Sequence, residues 1–422
     1  MRNRMNLAAA AVAAIGFVGM SSAALAQGDA CGTRKLTKKL EKPMNEVQQA
    51  REHKDWSAML SNAQALEAVP VDKSEYDKFW IHELKGVANA NLKQYPDAIA
   101  DLEAALNSPC MNEADKPTRV KLLMQLAYQS KDYPKVVEYG KRAQAAGSTD
   151  PEIGIYMGNA YYIQNDFENT RTVMNDTINK LEASGQTPDE PTYRILQSAC
   201  LQLKDNECVV AQIEKLVAHY PKPKYWLDMT DALLRASKSD KELLNILRLA
   251  DGVDIMSEGG QYIEMAQLAM AQGLPGEAQA VLEKGQQKGA FTQQRDKDHA
   301  SRLLADAKTA VTLDKSTLDK QDASARAKPT GDSDVKLGAA YLSYGENDKA
   351  IEAIQRGLGK GGVKNPDEAN LLLGIAYLRS SNKPEATKAF QAVNKDPGMM
   401  RIAKMWLLKN SEGADAAPKA AG

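Results

Sequence analysis

His82-Glu83 opens like the first two residues of a zinc-protease motif, in which a second histidine four residues on shares a helix face with the first and completes a metal site. Gly86 stands at that place. The other histidines, His53, His219 and His299, are far apart in sequence, so no ligand set is implied and no metal is expected. Gly357-Leu358-Gly359-Lys360-Gly361-Gly362 matches G-x-G-x-x-G, a spacing that can cradle a pyrophosphate. That chemistry needs a strand before the glycines and a helix after them. Here the run follows a helical pattern, so it reads as a helix stop followed by a loop.

Other chemistry is equally unsupported. No Gly-x-Ser-x-Gly and no Gly-Lys-Ser or Gly-Lys-Thr loop occurs. Carboxylates are abundant, but none falls in a stretch that implies a desolvated cleft, so solvated helix faces account for them. No catalytic residue and no cofactor is expected. The four cysteines, Cys31, Cys110, Cys200 and Cys208, contain no Cys-x-x-Cys. In an exported chain they suggest disulfides, with three connectivities open. Cys200 and Cys208 could staple one helical hairpin, which leaves Cys31 for Cys110; free buried thiols are the alternative.

The segments that hold these residues begin with one that is not part of the fold. Arg2 and Arg4 precede an apolar run from Leu7 to Met20, and Ala24-Leu25-Ala26 supplies a small-x-small site. Residues 1–26 read as a secretory signal peptide cleaved after Ala26. The run is short for a membrane span, which needs about 20 residues. Gly28-Asp29-Ala30 before Cys31 does not suit lipidation. No later segment is apolar enough to span, so the expected product is a periplasmic protein without a transmembrane segment in its mature form. The formal net charge of −1 gives no electrostatic footprint for nucleic acid.

The remainder repeats. Leu337-Gly338…Tyr341…Ala350-Ile351 returns 36 residues later as Leu373-Gly374…Tyr377…Ala386 and Phe390. Trp56, Tyr95, Tyr133, Phe167, Asn206, Asp240, Pro275, Asn347 and Lys383 each open the second helix of such a unit, with one period skipped between Pro275 and Asn347. A small residue on the first helix (Gly86, Gly158, Ala266, Gly338, Gly374) lets the second helix approach. A small or short aliphatic residue faces it (Ala98, Val136, Val209, Leu243, Ala278, Ala350, Ala386). No unit covers its own apolar face, so stacking supplies the core.

This pattern resembles the tetratricopeptide repeat, a 34-residue helix–turn–helix. The resemblance covers nearly all of the mature chain and is strongest at 337–358 and 373–390. It implies an all-α, right-handed superhelical solenoid of about ten TPR-like helical hairpins. The organisation it suggests is an N-terminal array at 27–295, a degenerate repeat or hinge at 296–334, a C-terminal pair with a terminal helix at 335–410, and a disordered tail at 411–422. Within the family, Tyr220-Pro221, Tyr225-Trp226-Leu227 and the stretch from Gly259 to Gly285 are similar to exported tetratricopeptide proteins associated with the TonB energy-transduction system.

The resemblance also places groove-facing residues on each first helix. Carried over, these are Lys121, Gln125 and Tyr128; then Glu152, Asn159 and Tyr162; then Gln267 and Met270; and finally Leu342, Ile375 and Arg379. Tyrosines, amides and aliphatics together suit a protein or peptide partner. The lysine-and-asparagine set that captures a C-terminal carboxylate in some members is incomplete: Lys121 fits, but Tyr156 stands where asparagine is wanted. The implied function is a non-catalytic periplasmic scaffold for protein–protein interaction, an accessory of a TonB-type transport system whose components would be its partners. The alternative is a chaperone-like adaptor for envelope polymer secretion or for pilus or outer-membrane assembly.

Overall fold

A computed structural model describes residues 30–411. The expected signal peptide, and the expected tail beyond Ser411, lie outside them. The described residues hold 21 α-helices and no strand. Two units divide the chain, one up to Gln212 and one from Ile213.

The first unit is a succession of helix pairs: α1 (Glu41–Glu52) with α2 (Trp56–Ala68), α3 (Glu75–Asn91) with α4 (Tyr95–Asn107), α5 (Lys116–Gln129) with α6 (Tyr133–Ala145), α7 (Pro151–Ile163) with α8 (Phe167–Ala183), and α9 (Glu190–Gln202) followed by α10 (Asn206–His219), within which the division falls. The second unit continues with α11 (Pro223–Ala236) and α12 (Asp240–Gly252), then α13 (Gly259–Ala271) and α14 (Pro275–Gln287). After these come α15 (Gln294–Lys315), α16 (Leu318–Ala327), α17 (Asp332–Ser343) with α18 (Asn347–Lys360), α19 (Pro366–Arg379) with α20 (Lys383–Gln391), and a last helix α21 (Pro397–Ser411). Every residue named from sequence as opening a second helix is the first residue of one.

The turn inside each pair has a local cause. Lys54, Lys93, Lys131, Asn165, Lys204 and Ser381 adopt positive φ two residues before the second helix, and Gly273 and Gly345 take the same place. A left-handed residue ends the first helix and reverses the chain. In four of the pairs the side chain of the residue after it caps the second helix. Asp55 accepts from the Ala58 N–H, Asp132 from Lys135, Asp166 from Asn169 and Asn382 from Glu385. Each cap satisfies an N–H that the helix itself leaves unpaired, worth about 1 kcal/mol.

Close approach within the pairs rests on the small residues. A Cβ built on Gly86 would come 2.5 Å from Leu102, on Gly158 2.6 Å from Met174, on Gly338 2.4 Å from Ile354, and on Gly374 2.3 Å from Phe390. In each case the partner lies sixteen residues on, at the same level of the second helix. Ala98, Val136, Ala278, Ala350 and Ala386 are fully buried opposite, whereas Val209 and Leu243 are only half-buried. One apolar core runs from Leu40 to Tyr161 in the first unit, and another from Leu244 to Ala307 in the second. Disulfides join Cys31 to Cys110 and Cys200 to Cys208.

In the second unit the worn stretch 296–334 carries α15, which packs on α13 and α14, and α16, which packs on α17. Helix α15 still gives Ala300, Leu304 and Ala307 to the apolar core, while charge ties α16 to α17 and α18. Asp334 is wholly buried and pairs with Arg356 at 2.6 Å and Lys360 at 2.8 Å. Arg356 also holds Asp322 of α16 at 2.7 Å. Helix α21 turns back onto α12 and also touches α19 and α20.

Candidate functional site

First helices of successive pairs lie side by side in the first unit, α5 against α7 and α7 against α9. Lys121 and Tyr128 of α5 and Tyr156 and Tyr162 of α7 take part in the contacts between them. Lys121 reaches across to Asp150 at 2.6 Å and Glu152 at 2.5 Å. Burial works against its charge, but the two carboxylates outweigh burial and raise its pKa above the ordinary lysine value. The Tyr128 ring meets Tyr156 edge-on with centroids 5.2 Å apart, and Tyr133 at 5.9 Å. Burial, with the neighbouring tyrosines, pushes the Tyr128 hydroxyl up to about 12. It therefore stays a neutral donor and acceptor at any physiological pH. Tyr162 hydrogen-bonds Ser198 of α9 at 2.6 Å and packs edge-on against Phe167. Gln125 is half-exposed on the same helix as Tyr128. Asn159 is 6% exposed and donates to the Ile155 carbonyl of its own helix, so its amide is engaged within the fold.

The residues named on the second unit go to different places. Gln267 is exposed and meets His299 at 3.4 Å. Met270 packs against the apolar core. Leu342 and Ile375 are 5% and 3% exposed. Ile375 and Arg379 line a cleft of about 450 Å³ between α12, α19, the start of α20, and α21.

Arg248, Arg379, Lys383 and Lys409 line that cleft, with Asp251 as the one carboxylate among the lining residues. Arg248 is fixed: its Nε and Nη2 donate to the two Glu277 oxygens at 2.7 and 2.6 Å, and Nη1 donates to Asn245 Oδ1 at 2.9 Å. Burial penalises both charges, yet each partner outweighs that penalty for the other, so Glu277 lies below the usual glutamate range and Arg248 above its own. Asp251 is held by Lys284 at 2.7 Å. Burial lowers the Arg379 pKa; the Glu277 carboxylate opposes that shift, the Arg248 charge adds to it, and Asp251 opposes it. More than a third of its surface nonetheless remains open to water, because the side chain faces the cleft. Its Nη1 donates to the Leu342 carbonyl at 3.2 Å. Ile375, Leu378 and the Trp406 indole make the apolar wall. Trp406 Nε1 and Asn410 Oδ1 are buried without a hydrogen bond in the protein.

The sequence names Ile375 and Arg379 only as groove positions, and does not name Arg248, Lys383, Trp406, Lys409 or Asn410, which line this cleft with them. One signal was present: Asn245 and Arg248 interrupt the apolar run Leu243–Ala250 three residues apart, on one helix face. Nothing in the repeat pattern announces that α21 brings Trp406 to α12.

The residues first singled out for chemistry have structural partners. His82 Nδ1 lies 3.0 Å from Asp101 Oδ1, and Glu83 pairs with Arg119. The glycine run ends α18, with Gly361 and Gly362 at positive φ. Among the described residues, no group of three or more His, Cys, Asp or Glu is placed to hold a metal ion. No helix there is long and apolar enough to cross a membrane.

No protein-family profile matches the chain, and no curated protein matches it. Among solved structures it is similar to a tetratricopeptide repeat protein from Parabacteroides merdae, at 10% identity over 78% of this chain and 98% of that one, with a TM-score of 0.30. It is also similar to the C-terminal part of a TPR repeat-containing protein from Cytophaga hutchinsonii, at 14% identity over 85% and 98%, with a TM-score of 0.32. A third is the TPR2AB domain of yeast Sti1 in complex with pHSP90, at 12% identity over 71% and 99%, with a TM-score of 0.24. At these scores the likeness adds nothing to the hairpins seen directly.

Proposed function

We propose that this chain is a non-catalytic scaffold that binds a protein or peptide along the first-helix face of α5, α7 and α9. The observation that carries this reading is the chain of contacts between successive first helices, Tyr128 of α5 with Tyr156 of α7 and Tyr162 of α7 with Ser198 of α9, with Lys121 on α5. Tyrosine supplies large contact area with few rotatable bonds and a polar tip, which suits it to anchor a partner. The row is already ordered by edge-on ring contacts, so little entropy is lost when a partner docks.

The setting in this reading is the periplasm. Two disulfides among the described residues are compatible with an oxidising compartment, and the first 26 residues have the layout of an export signal. The partner system is the TonB-type energy-transduction apparatus, supported by the sequence resemblance at 220–227 and 259–285. Cross-linking in intact cells under iron limitation, followed by identification of the linked proteins, tests it. Recovery of TonB-system components is the expected result. Recovery of polymer-secretion or pilus-assembly proteins in their place would reassign the scaffold.

A further inference from the structure

We propose that the Cys200–Cys208 bond is a reversible thiol–disulfide exchange site, opened by a dithiol donor while the hairpin that carries it stays folded. This inference does not depend on the tyrosine row.

The bond is not needed for the turn it spans. Lys204 takes positive φ two residues before α10. The Asp205 N–H then donates to the Cys200 carbonyl at 2.9 Å, and Asp205 Oδ1 accepts from the Cys208 N–H at 3.1 Å. Four other hairpins make the same pair of bonds around a left-handed residue, Asp132 with Ala127 and Lys135 among them. None of those turns contains a cysteine. Local hydrogen bonds therefore set this turn without a covalent link. Arg171 of α8 also donates to Asp205 Oδ2 at 3.0 Å and ties the turn to the preceding pair. A crosslink across 8 positions restrains the unfolded chain less than one across 79. The fold thus loses little when this one opens.

Access separates the two disulfides. Cys31 and Cys110 are 3% and 2% exposed and lie in an apolar cluster with Tyr76. Cys200 is wholly buried, but Cys208 is half-buried, alone among the four. Exchange requires a thiolate to reach one sulfur, so the bond with an accessible end reacts first. The donor thiolate attacks Cys208 Sγ, the bond to Cys200 breaks, and Cys200 Sγ leaves with the electron pair and takes a proton. The second donor thiol attacks the mixed disulfide and releases Cys208 as a thiol. The donor ends as its own disulfide, so two electrons and two protons pass to the cysteine pair. The Cα atoms lie 5.8 Å apart, within the range over which a disulfide closes. A hairpin held by its own hydrogen bonds keeps the two thiols near that separation, ready for re-oxidation by a small disulfide.

The test is timed exposure of the folded full chain to dithiothreitol. Thiols are trapped with N-ethylmaleimide and located by peptide mass, and helix content is followed by circular dichroism. Cys200 and Cys208 should be trapped together, about tenfold faster or more than Cys31 and Cys110, with the helix signal unchanged. Oxidised glutathione, added once the donor is removed, should restore the original pairing. Trapping of Cys31 and Cys110 first, or at the same rate, would overturn the assignment. So would release of Cys200 and Cys208 only after urea unfolds the chain, or loss of helix as their bond opens, since either result makes the bond part of the fold.

Discussion

Gly252, the last residue of α12, lies under the indole of Trp406 on α21: a Cβ there would stand 2.3 Å from the ring atom Cη2. The same indole stacks with the Phe390 ring, centroids 6.1 Å apart and planes 8° from parallel. The C-terminal helix is thus seated through one ring that packs on both a glycine and a phenylalanine. Gly252→Ala should unseat it, at about 1–3 kcal/mol for overpacking. Gly260→Ala is the control, because nothing lies within 4 Å of its Cβ position, and helix propensity alone would leave it neutral or slightly stabilised. Thermal unfolding of the two variants checks this. Equal midpoints would show that the indole moves aside freely.

Arg248 and Glu277 form a bidentate pair in which both side chains are about nine-tenths buried or more. A surface pair of this kind would be worth little, but removing one partner of a buried pair strands the other charge. Glu277→Leu should cost about 3–5 kcal/mol. The double variant Arg248→Met with Glu277→Leu should recover most of that loss. Urea midpoints of the single and double variants decide the matter: no recovery in the double variant would mean that packing, and not stranded charge, sets the cost.

Much of the hairpin register could be read beforehand, because it is written in local chemistry. A small residue and a partner sixteen positions on, a left-handed residue, and a cap just before the second helix all lie within one repeat. Trp56, Tyr95 and Lys383 mark helix starts for that reason. The cleft was not legible. Arg248 and Trp406 are 158 positions apart, and they meet only because α21 folds back on α12, a contact outside any repeat. Periodicity also cannot separate a groove position from a packed one. Gln267 and Ile375 occupy comparable places on first helices, yet the first is exposed and the second is 3% exposed. What differs is the neighbour, and here the neighbour is α21.

The two disulfides should differ in worth. Cys31–Cys110 spans 79 positions and Cys200–Cys208 spans 8. Closing the longer loop removes more freedom from the unfolded chain, by about 2 kcal/mol on the loop-entropy relation. Replacing each pair with serines should therefore lower the thermal midpoint more for Cys31 and Cys110. Thiol labelling of the unfolded, unreduced protein should find no free cysteine. Equal shifts for the two variants would show that native packing at the sulfurs, and not loop closure, governs their contribution.

Asp77 gives the fold an acid sensitivity with a defined sign. Its buried carboxylate accepts from Thr37 N–H and Oγ1 at 2.9 and 2.6 Å, and from Ser74 N–H and Oγ at 2.9 and 2.8 Å. Burial pushes its pKa up, but these four bonds outweigh burial and hold it below the ordinary 3.8. The unfolded chain thus takes up this proton first as pH falls. The stabilisation is fully present above about 3.8 and is lost as pH drops through the lower folded value. Urea unfolding of the native chain and of Asp77→Asn from pH 6 to pH 2 should show a gap that is constant at first and shrinks at the acid end. A gap that stays constant throughout would mean that Asp77 acts by shape and not by charge.

The tyrosine row makes the proposed scaffold testable residue by residue. Tyr128 touches Tyr133 and Tyr156, and Tyr162 touches Phe167 and Ser198, so each ring is half-buried but none belongs to the fully buried core. Truncating either should cost some stability without unfolding the first unit: Tyr128 packs against the core that runs from Leu40 to Tyr161 but is not one of its buried residues. Binding should respond more strongly. If the two rings anchor one partner on neighbouring hairpins, Tyr128→Ala and Tyr162→Ala should each weaken the captured complex by about 2 kcal/mol, or roughly thirtyfold. Tyr162→Phe separates the roles: it keeps the ring and removes the hydroxyl bonded to Ser198. Ring contact predicts that phenylalanine binds nearly as well as tyrosine, whereas hydroxyl recognition predicts a loss close to that of alanine. Unchanged binding in both alanine variants, with their folds intact, would remove this face from the interaction altogether.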